Sequence, residues 1–298
     1  ISGSEGLVAA GNIFMGMTES PVLIKNYLPT MNRSEIFLVM VSGMGTIAGS
    51  VMGTYIGMLG GTDPAAKVLF ATHLLSASVM AVPGSIVLAK MLCPQTEEAT
   101  DHVAISGKEK ENSNILDAIS SGTVTGVKLM TNIAAMLLVF ISLVALANYI
   151  TEGVIGRYTG LNDWIVKITD GKAQGLTFQF ILGVITSPFM WLIGVPSQDI
   201  MLVGSLLGQK TILNEFVAYF QLQQWKDAGL FMYEKSILMS TYILCGFANI
   251  SSIGILLGGL GVLAPEKRGL ISRIGVPAMI GGALVSVLSA TIIGMILG

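Results

Sequence analysis

Charged residues are scarce in this sequence, and their scarcity excludes most soluble classes of protein. Only 11% of the 298 residues are Asp, Glu, Lys or Arg, against 52% hydrophobic residues and a mean hydropathy of +0.75. So small a charged fraction leaves too little polar surface to cover a soluble globule of this length. The charges nearly cancel, at 16 basic and 18 acidic residues, and therefore indicate no basic surface for nucleic acid. The sequence predicts an integral membrane protein without a nucleic-acid partner.

Cysteine and histidine are also rare, with two of each. Cys93 and Cys245 lie in or at the end of apolar segments, and no Cys/His cluster has the spacing of metal ligands. We therefore predict no disulfide and no cofactor, and interpret both cysteines as packing residues. The sequence also shows no pairing of a nucleophile with a base, so we expect no enzymatic activity.

Long apolar stretches supply the membrane-spanning elements. Each is near the roughly 20 residues that a helix needs to cross a bilayer. The stretches are residues 36–59, 65–93, 131–150, 237–263 and 274–297. The alternating ten-residue strands of an outer-membrane barrel do not occur, and 36 glycines are typical of closely packed membrane helices. We expect an all-α, multi-pass protein of the inner membrane, in contact with lipid.

A polar interruption divides the chain into two similar parts. Residues 94–114 are too charged to cross a membrane and predict an exposed loop. The predicted divisions are a first repeat (1–93), a polar cytoplasmic loop (94–116), a scaffold helix with an exposed connection (117–175) and a second repeat (176–298). Each repeat is expected to hold one re-entrant helical hairpin and two transmembrane helices.

Matching glutamates mark the two predicted hairpins. Residues 16–23 stand opposite residues 212–219, and each stretch places one glutamate, Glu19 or Glu215, before an apolar run. Polar residues crowd both stretches, and irregular backbone at membrane depth is tolerated only where protein or a watery cavity satisfies it. A buried carboxylate in a membrane is costly unless a partner satisfies it. We interpret both glutamates as ligands of a polar solute; the alternative is that each is neutral or bonded to a helix terminus.

A second pair of matching stretches predicts two broken helices. Residues 45–50 stand opposite residues 248–253, and the polar breaks at 46–50 and 249–252 predict helices that unwind in mid-membrane. Interrupted apolar segments at matching positions of an internal repeat indicate a transporter binding site near the membrane midplane.

Four stretches resemble the signature segments of the concentrative nucleoside transporters. They are GNIFMGMTESPVLI, GTIAGSVMGTYI, LNEFVAY and CGFANISSIGI. The resemblance extends over essentially the whole chain and implies inverted repeats with two opposed re-entrant hairpins, broken helices, and three further helices before Ile1. It also implies a homotrimer that carries nucleosides inward together with sodium or, in some members, protons. Residues 1–16 contain neither an initiating methionine nor a basic region, so we expect the chain to begin inside a longer protein.

The resemblance implies particular residues for the sugar of the substrate. Glu19 and Glu215 would accept hydrogen bonds from the ribose hydroxyls, and Asn249 and Ser252 would complete the sugar site. Lys210, five residues before Glu215, either neutralises a carboxylate or extends its ammonium toward the membrane surface.

The same resemblance places Met17, Thr18 and Val51 beside the nucleobase. The family motif usually reads Gly-Gln-Thr/Ser-Glu, whereas this chain has Met17 in place of the glutamine. Methionine offers a soft apolar surface where glutamine offers a donor and an acceptor. We expect a shift toward purine nucleosides, and the sequence leaves the choice between purines and pyrimidines open.

For the coupling ion, the resemblance implies the backbone carbonyls of Asn12, Met15 and Ile47 and the hydroxyls of Thr18 and Thr46. Oxygen ligands suit a hard cation, and broken helices supply free carbonyls at the right depth. Thr46 has an alternative, because threonines in membrane helices often bond back to the preceding turn. Sodium is the favoured ion, and protons stay open.

The predicted function is thus nucleoside import by cation symport and alternating access. One alternative is a proton-coupled carrier of nucleosides or of another polyol-bearing solute. A channel is less favoured, because the polar residues cluster at two breaks and do not form a continuous pore lining.

Overall fold

The computed structural model describes residues 1–98, 114–169, 171 and 173–298. Every regular element in these residues is a helix, and the all-α prediction is confirmed. Of the described residues, those up to 98 and from 179 onward form one compact unit, and those from 114 to 178 form a second. Most of the predicted polar loop, residues 99–113, lies outside the described residues. The predicted boundaries between repeats stay a prediction.

The first repeat opens with two short helices. Helix α1 (Gly3–Gly11) is followed, after a loop, by a 3₁₀-helix (Ser20–Ile24) that packs against it. Ser2 and Glu5 form a capping box that satisfies the first amides of α1. The buried Glu5 carboxylate also accepts a hydrogen bond from the Lys90 ammonium. This ion pair connects the first turn of α1 to the helix Pro64–Leu92.

Three more helices complete the first repeat. Helix α2 (Arg33–Gly45) begins with a capping box of Asn32 and Glu35, and α3 (Gly49–Gly60) continues along the chain after a break. Helix α4 (Pro64–Leu92) begins at Asp63, whose side chain accepts from two backbone amides. Arg33–Gly60 and Pro64–Leu92 are long and apolar enough to cross a membrane, in agreement with the predicted spans.

The second compact unit contains the helix that was predicted between the repeats. Helix α5 (Ile115–Asn148) runs into a π-helical segment (Tyr149–Gly156). The short helices α6 (Arg157–Thr159) and α7 (Leu161–Ile168) follow, separated by Gly160 in the left-handed conformation (φ 73°). The predicted span 131–150 therefore covers the C-terminal part of α5 and the first two residues of the π-helical segment.

The residues of the predicted second repeat form six α-helices, with one 3₁₀-helix (Pro265–Lys267) before the last of them. The α-helices are α8 (Phe178–Leu192), α9 (Ile200–Ile212), α10 (Glu215–Asp227), α11 (Glu234–Leu244), α12 (Ile250–Leu263) and α13 (Arg268–Ile296). Helices α9 and α10 pack on each other across a two-residue turn and form a helical hairpin, and α8 precedes that hairpin. Helix α13 packs against α2, α4, α11 and α12, so it forms the centre of the larger unit.

The second break differs from its predicted position. The helix breaks at Cys245–Asn249, and residues 250–252 already belong to α12. Asn249 is the N-cap of α12, because its side-chain oxygen accepts from the amide of Ser252. Ser251 and Ser252 thus lie in the first helical turn, where polar residues are ordinary. The first break is likewise shorter than predicted, since α3 begins at Gly49.

Candidate functional site

The two helix breaks meet in the interior of the larger unit. The amide of Phe247, in the second break, donates to the carbonyl of Thr46, in the first, at 3.2 Å. A Cβ on Gly246 would lie 2.9 Å from the Met44 carbonyl oxygen, so glycine permits this close approach. Backbone polar groups that leave helical geometry at membrane depth need polar partners. The crossing of the two breaks is therefore where the protein can present polar groups to a ligand.

A buried glutamate lies beside this crossing. The side chain of Asn214 accepts from the amide of Val217 at 2.9 Å and caps α10, which makes Glu215 the first residue of that helix. Glu215 is 7% exposed. Its Oε1 accepts from the hydroxyl of Tyr55 at 3.2 Å, and its Oε2 accepts from Nδ2 of Asn249 at 3.0 Å. Hairpin α9–α10, helix α3 and the second break thus converge on one carboxylate.

Asn249 connects the carboxylate to the start of α12. While its amide nitrogen donates to Glu215, its Oδ1 accepts from the amide of Ser252 at 2.9 Å and from the Ser252 hydroxyl at 3.1 Å. The hydroxyl of Ser251 donates to the same oxygen at 2.6 Å. The structure therefore brings together three of the predicted sugar-site residues, Glu215, Asn249 and Ser252.

Tyr55 belongs to this site although the sequence reasoning did not select it. Its ring stacks on Tyr219, with centroids 4.0 Å apart, and lies at a tilt to Phe216 at 6.0 Å. The hydroxyl of Tyr219 donates elsewhere, to the carbonyl of Thr241 at 2.8 Å. A signal for Tyr55 existed in the sequence, because it follows Val51 by four residues and so shares its face of α3.

The glutamate of the first repeat has different surroundings. Glu19 precedes the 3₁₀-helix and is exposed, which corrects the expectation that both matching glutamates are buried. Its carboxylate lies over Gly16, where a Cβ would overlap it. No hydrogen bond to the Glu19 carboxylate occurs within the described part of the chain. The local structure differs as well, since Glu19 precedes a five-residue 3₁₀-helix, whereas Glu215 begins a 13-residue α-helix.

The three residues predicted beside a base have different neighbours. Met17 is buried against α2, since a Cβ on Gly43 would lie 2.8 Å from Cβ of Met17. Thr18 faces α12, with its methyl group 3.2 Å from the Cβ position of Gly259. Val51 is half-buried in the first turn of α3.

The residues predicted to hold a cation lie where the loop after α1 meets the first break. Asn12 donates to the hydroxyl of Ser42 at 2.6 Å and accepts from the hydroxyl of Ser20 at 2.7 Å. The carbonyl of Phe14 accepts from the amide of Gly49 at 2.9 Å. These bonds attach the loop that carries Asn12 and Met15 to both sides of the break that carries Thr46 and Ile47.

The ligand types available at this junction are neutral oxygens. The Thr46 hydroxyl donates to the carbonyl of Ser42 at 3.0 Å, which is the bond to the preceding turn expected as the alternative to ion binding. The lone pairs of this hydroxyl stay available as acceptors. The carbonyls of Asn12, Met15 and Ile47 accept no backbone hydrogen bond in the described residues. No group of three or more His, Cys, Asp or Glu that could hold a metal occurs there either. A hard monovalent cation fits this set better than a transition metal does.

Comparison with protein families identifies a family that covers most of the chain. The family model described as "Na+ dependent nucleoside transporter C-terminus" matches residues 73–294. Among curated proteins, the chain is similar to an uncharacterized transporter of Haemophilus influenzae, at 39% identity over 100% of this chain and 67% of the relative. It is also similar to sodium/nucleoside cotransporter 1 of Rattus norvegicus, at 39% identity over 99% of this chain and 44% of the relative.

The chain is also similar in structure to solved structures of CNTnw. CNTnw in an inward-facing substrate-bound state matches with a TM-score of 0.82 and 36% identity, over 100% of this chain and 66% of that one. A variant of CNTnw in an outward-facing state matches with a TM-score of 0.84 and 36% identity, over 98% and 65%. The chain therefore spans about two thirds of the length of these structures and less than half of the rat relative.

Proposed function

The chain belongs to the Na+-dependent nucleoside transporter family, and we propose that the full-length protein imports nucleosides by symport with sodium. The proposal makes it a secondary transporter of the inner membrane, without enzymatic activity, that works by alternating access. Similarity to CNTnw in inward-facing and outward-facing states supports that mechanism. A homotrimeric assembly and the inner-membrane location are part of the proposal and rest on the resemblance in sequence.

The observation that carries the proposal is the Glu215 carboxylate at the crossing of the two breaks. Each carboxylate oxygen accepts one hydrogen bond from the protein, from Tyr55 or from Asn249. A carboxylate oxygen has two lone pairs, so each retains one acceptor position. One acceptor position on each oxygen of a single carboxylate suits the two vicinal hydroxyls of a ribose, and hydrogen bonds to a charged acceptor are the stronger kind.

The choice of sodium rests on the junction of the α1 loop with the first break. Neutral carbonyl and hydroxyl oxygens there need no proton to be removed or added when a cation binds. A proton-coupled carrier would instead use the carboxylates, and it is the second candidate because Glu19 is exposed and has no hydrogen-bond partner among the described residues.

Uptake measurements test the proposed function. Radiolabelled adenosine and uridine uptake is measured in proteoliposomes that hold the full-length protein, under a sodium gradient, a proton gradient or neither. Sodium-driven uptake is expected. Adenosine should be taken up in preference to uridine, because Met17 offers an apolar surface that favours the larger purine ring. Uptake driven by protons alone would favour the second candidate, and no nucleoside uptake under any gradient would refute the proposal.

The proposed ion site predicts a selective effect of Thr46→Val. The change keeps the shape of the side chain and removes its hydroxyl. The half-saturating sodium concentration should therefore rise about tenfold, because one lost ligand costs roughly 1.4 kcal/mol of binding free energy. Nucleoside affinity at saturating sodium should change less than about threefold, because the Thr46 hydroxyl bonds to Ser42 and not to the Glu215 carboxylate. Thr54→Val, on the exposed surface of α3, is the matched control. Equal sodium half-saturation in both variants would show that Thr46 holds no ion.

The position of Tyr55 predicts a selective effect on substrate affinity. Tyr55→Phe keeps the stack on Tyr219 and removes the donor to Glu215, so the carboxylate is held less firmly. We expect the KM for nucleoside to rise about tenfold, the effect of one hydrogen bond to a charged acceptor. In Tyr219→Phe, which loses only its bond to the Thr241 carbonyl, the KM should stay native. Similar KM values in the two variants would contradict the role of Tyr55.

A further inference from the structure

The ammonium group of a fully buried lysine contacts the C-terminal end of α11. Lys210, in the last turn of α9, is 0% exposed. Its ammonium donates to the carbonyl of Ile243 at 2.8 Å and to the hydroxyl of Ser286, on α13, at 2.8 Å. Ile243 belongs to the last turn of α11, immediately before the second break. The side chain therefore reaches from the helical hairpin α9–α10 to the point where the other helix stops.

The carbonyl that Lys210 binds has lost its helical partner. In a continuous helix the amide of Phe247 would donate to the carbonyl of Ile243, four residues earlier. Here that amide donates across to Thr46 of the first break. The last carbonyls of a helix carry partial negative charge, which attracts a cation. The ammonium thus binds an oxygen that the crossing of the breaks leaves without its helical donor.

The first repeat has the corresponding helix end at the C-terminus of α2. There the proposed function, on which this inference rests, places a coupling ion among the oxygens around Thr46 and Ile47. Half-helix ends of this kind bind cations in secondary transporters. We propose that Lys210 is a tethered cation, whose ammonium occupies at the end of α11 the place that a mobile ion takes at the end of α2.

The tethered cation also accounts for the surroundings of Glu215. In the described residues Lys210 and Glu215 form no direct ion pair, and the carboxylate receives its two bonds from the neutral groups of Tyr55 and Asn249. Both charges nevertheless belong to hairpin α9–α10. The second repeat therefore balances its buried charge internally, and only the first repeat needs an ion from solution.

The alternative is that Lys210 is a purely structural residue that joins α9 to α11 and α13. Both readings predict a loss of stability when Lys210 is changed. Only the tethered cation predicts that the sodium dependence of nucleoside binding changes as well, and in a way that depends on whether the replacement leaves room for an ion.

The test compares Lys210→Met, which fills the space with an apolar chain, and Lys210→Ala, which opens it. Nucleoside binding to the purified full-length protein is titrated with sodium, with N-methylglucamine replacing sodium to keep ionic strength constant. We expect a Hill coefficient for sodium near 1 in the native protein and a loss of nucleoside affinity of at least tenfold in Lys210→Met. In Lys210→Ala high sodium should restore affinity and the Hill coefficient should rise toward 2. Lys226→Met, whose ammonium pairs with Asp227 at the surface of α10, is the control and should behave as native.

The outcomes separate the readings. Equal loss in both Lys210 variants with an unchanged Hill coefficient, or native affinity in Lys210→Met, would overturn the tethered cation while leaving the proposed function intact. If neither variant folds, the sodium-to-nucleoside stoichiometry of the native protein is measured from the reversal potential of uptake. Two sodium ions per nucleoside would overturn the tethered cation, and one would support it. A native protein that binds no nucleoside in sodium would remove the proposed function and this inference together.

Discussion

Glu215→Gln is expected to reduce sodium-driven nucleoside uptake at least a hundredfold. The amide keeps the size of the side chain, but it carries no charge and replaces one acceptor oxygen with a donor. That group would then face the Tyr55 hydroxyl or the Asn249 amide, both donors in the native structure. Loss of two charge-assisted bonds to the ribose corresponds to about 3 kcal/mol, or a factor of roughly a hundred.

The measurement is the initial rate of adenosine uptake across substrate concentrations in proteoliposomes. Glu234→Gln is the matched control, because Glu234 is also the first residue of a helix, α11, but is exposed. Uptake by Glu215→Gln within tenfold of native would refute the assignment of the sugar site. Glu19→Gln in the same assay shows whether the exposed glutamate of the first repeat contributes: a similar loss would support the joint sugar site that the resemblance implies, and native uptake would confine that site to the second repeat.

Local sequence patterns predict much of this architecture. The all-α class follows from apolar stretches of bilayer length, and both breaks follow from polar residues inside such stretches. The position of Glu215 at the start of a hairpin arm follows from Asn214, a good N-cap, before an apolar run. These features depend on neighbours along the chain, which the sequence displays directly.

Other features depend on contacts between distant residues. The second break begins at Cys245 because the amide of Phe247 pairs with Thr46, some two hundred residues earlier, and no local pattern encodes that pairing. The burial of Glu215 and the exposure of Glu19 likewise depend on which helices cover each hairpin. Tyr55 shows the same limit: its spacing of four residues from Val51 places both on one face of α3, but an aromatic residue there is equally consistent with facing lipid or facing a carboxylate.

Gly246→Ala is expected to have the second large effect, because the crossing of the two breaks leaves no room for a side chain. A Cβ at residue 246 would lie 2.9 Å from the Met44 carbonyl oxygen and 3.1 Å from both the carbon and the oxygen of the Gly45 carbonyl. All three are backbone atoms and cannot rotate away. Overpacking of this kind costs about 1–3 kcal/mol in well-packed interiors, and here it would also separate Phe247 from Thr46.

The expected results for Gly246→Ala are a lower thermal unfolding midpoint of the purified protein and a loss of uptake of at least about tenfold, because a cost of roughly 1.4 kcal/mol already corresponds to that factor. Gly254→Ala is the matched control, since Gly254 lies within α12 and a Cβ there meets nothing within 4 Å. Alanine favours a helix interior over glycine by about 1 kcal/mol, so that variant should be as stable as native or slightly more. An unchanged unfolding midpoint and native uptake in Gly246→Ala would mean that the breaks can separate without cost. The carboxylate of Glu215 would then depend on Tyr55 alone for its position, since Asn249 belongs to the same break.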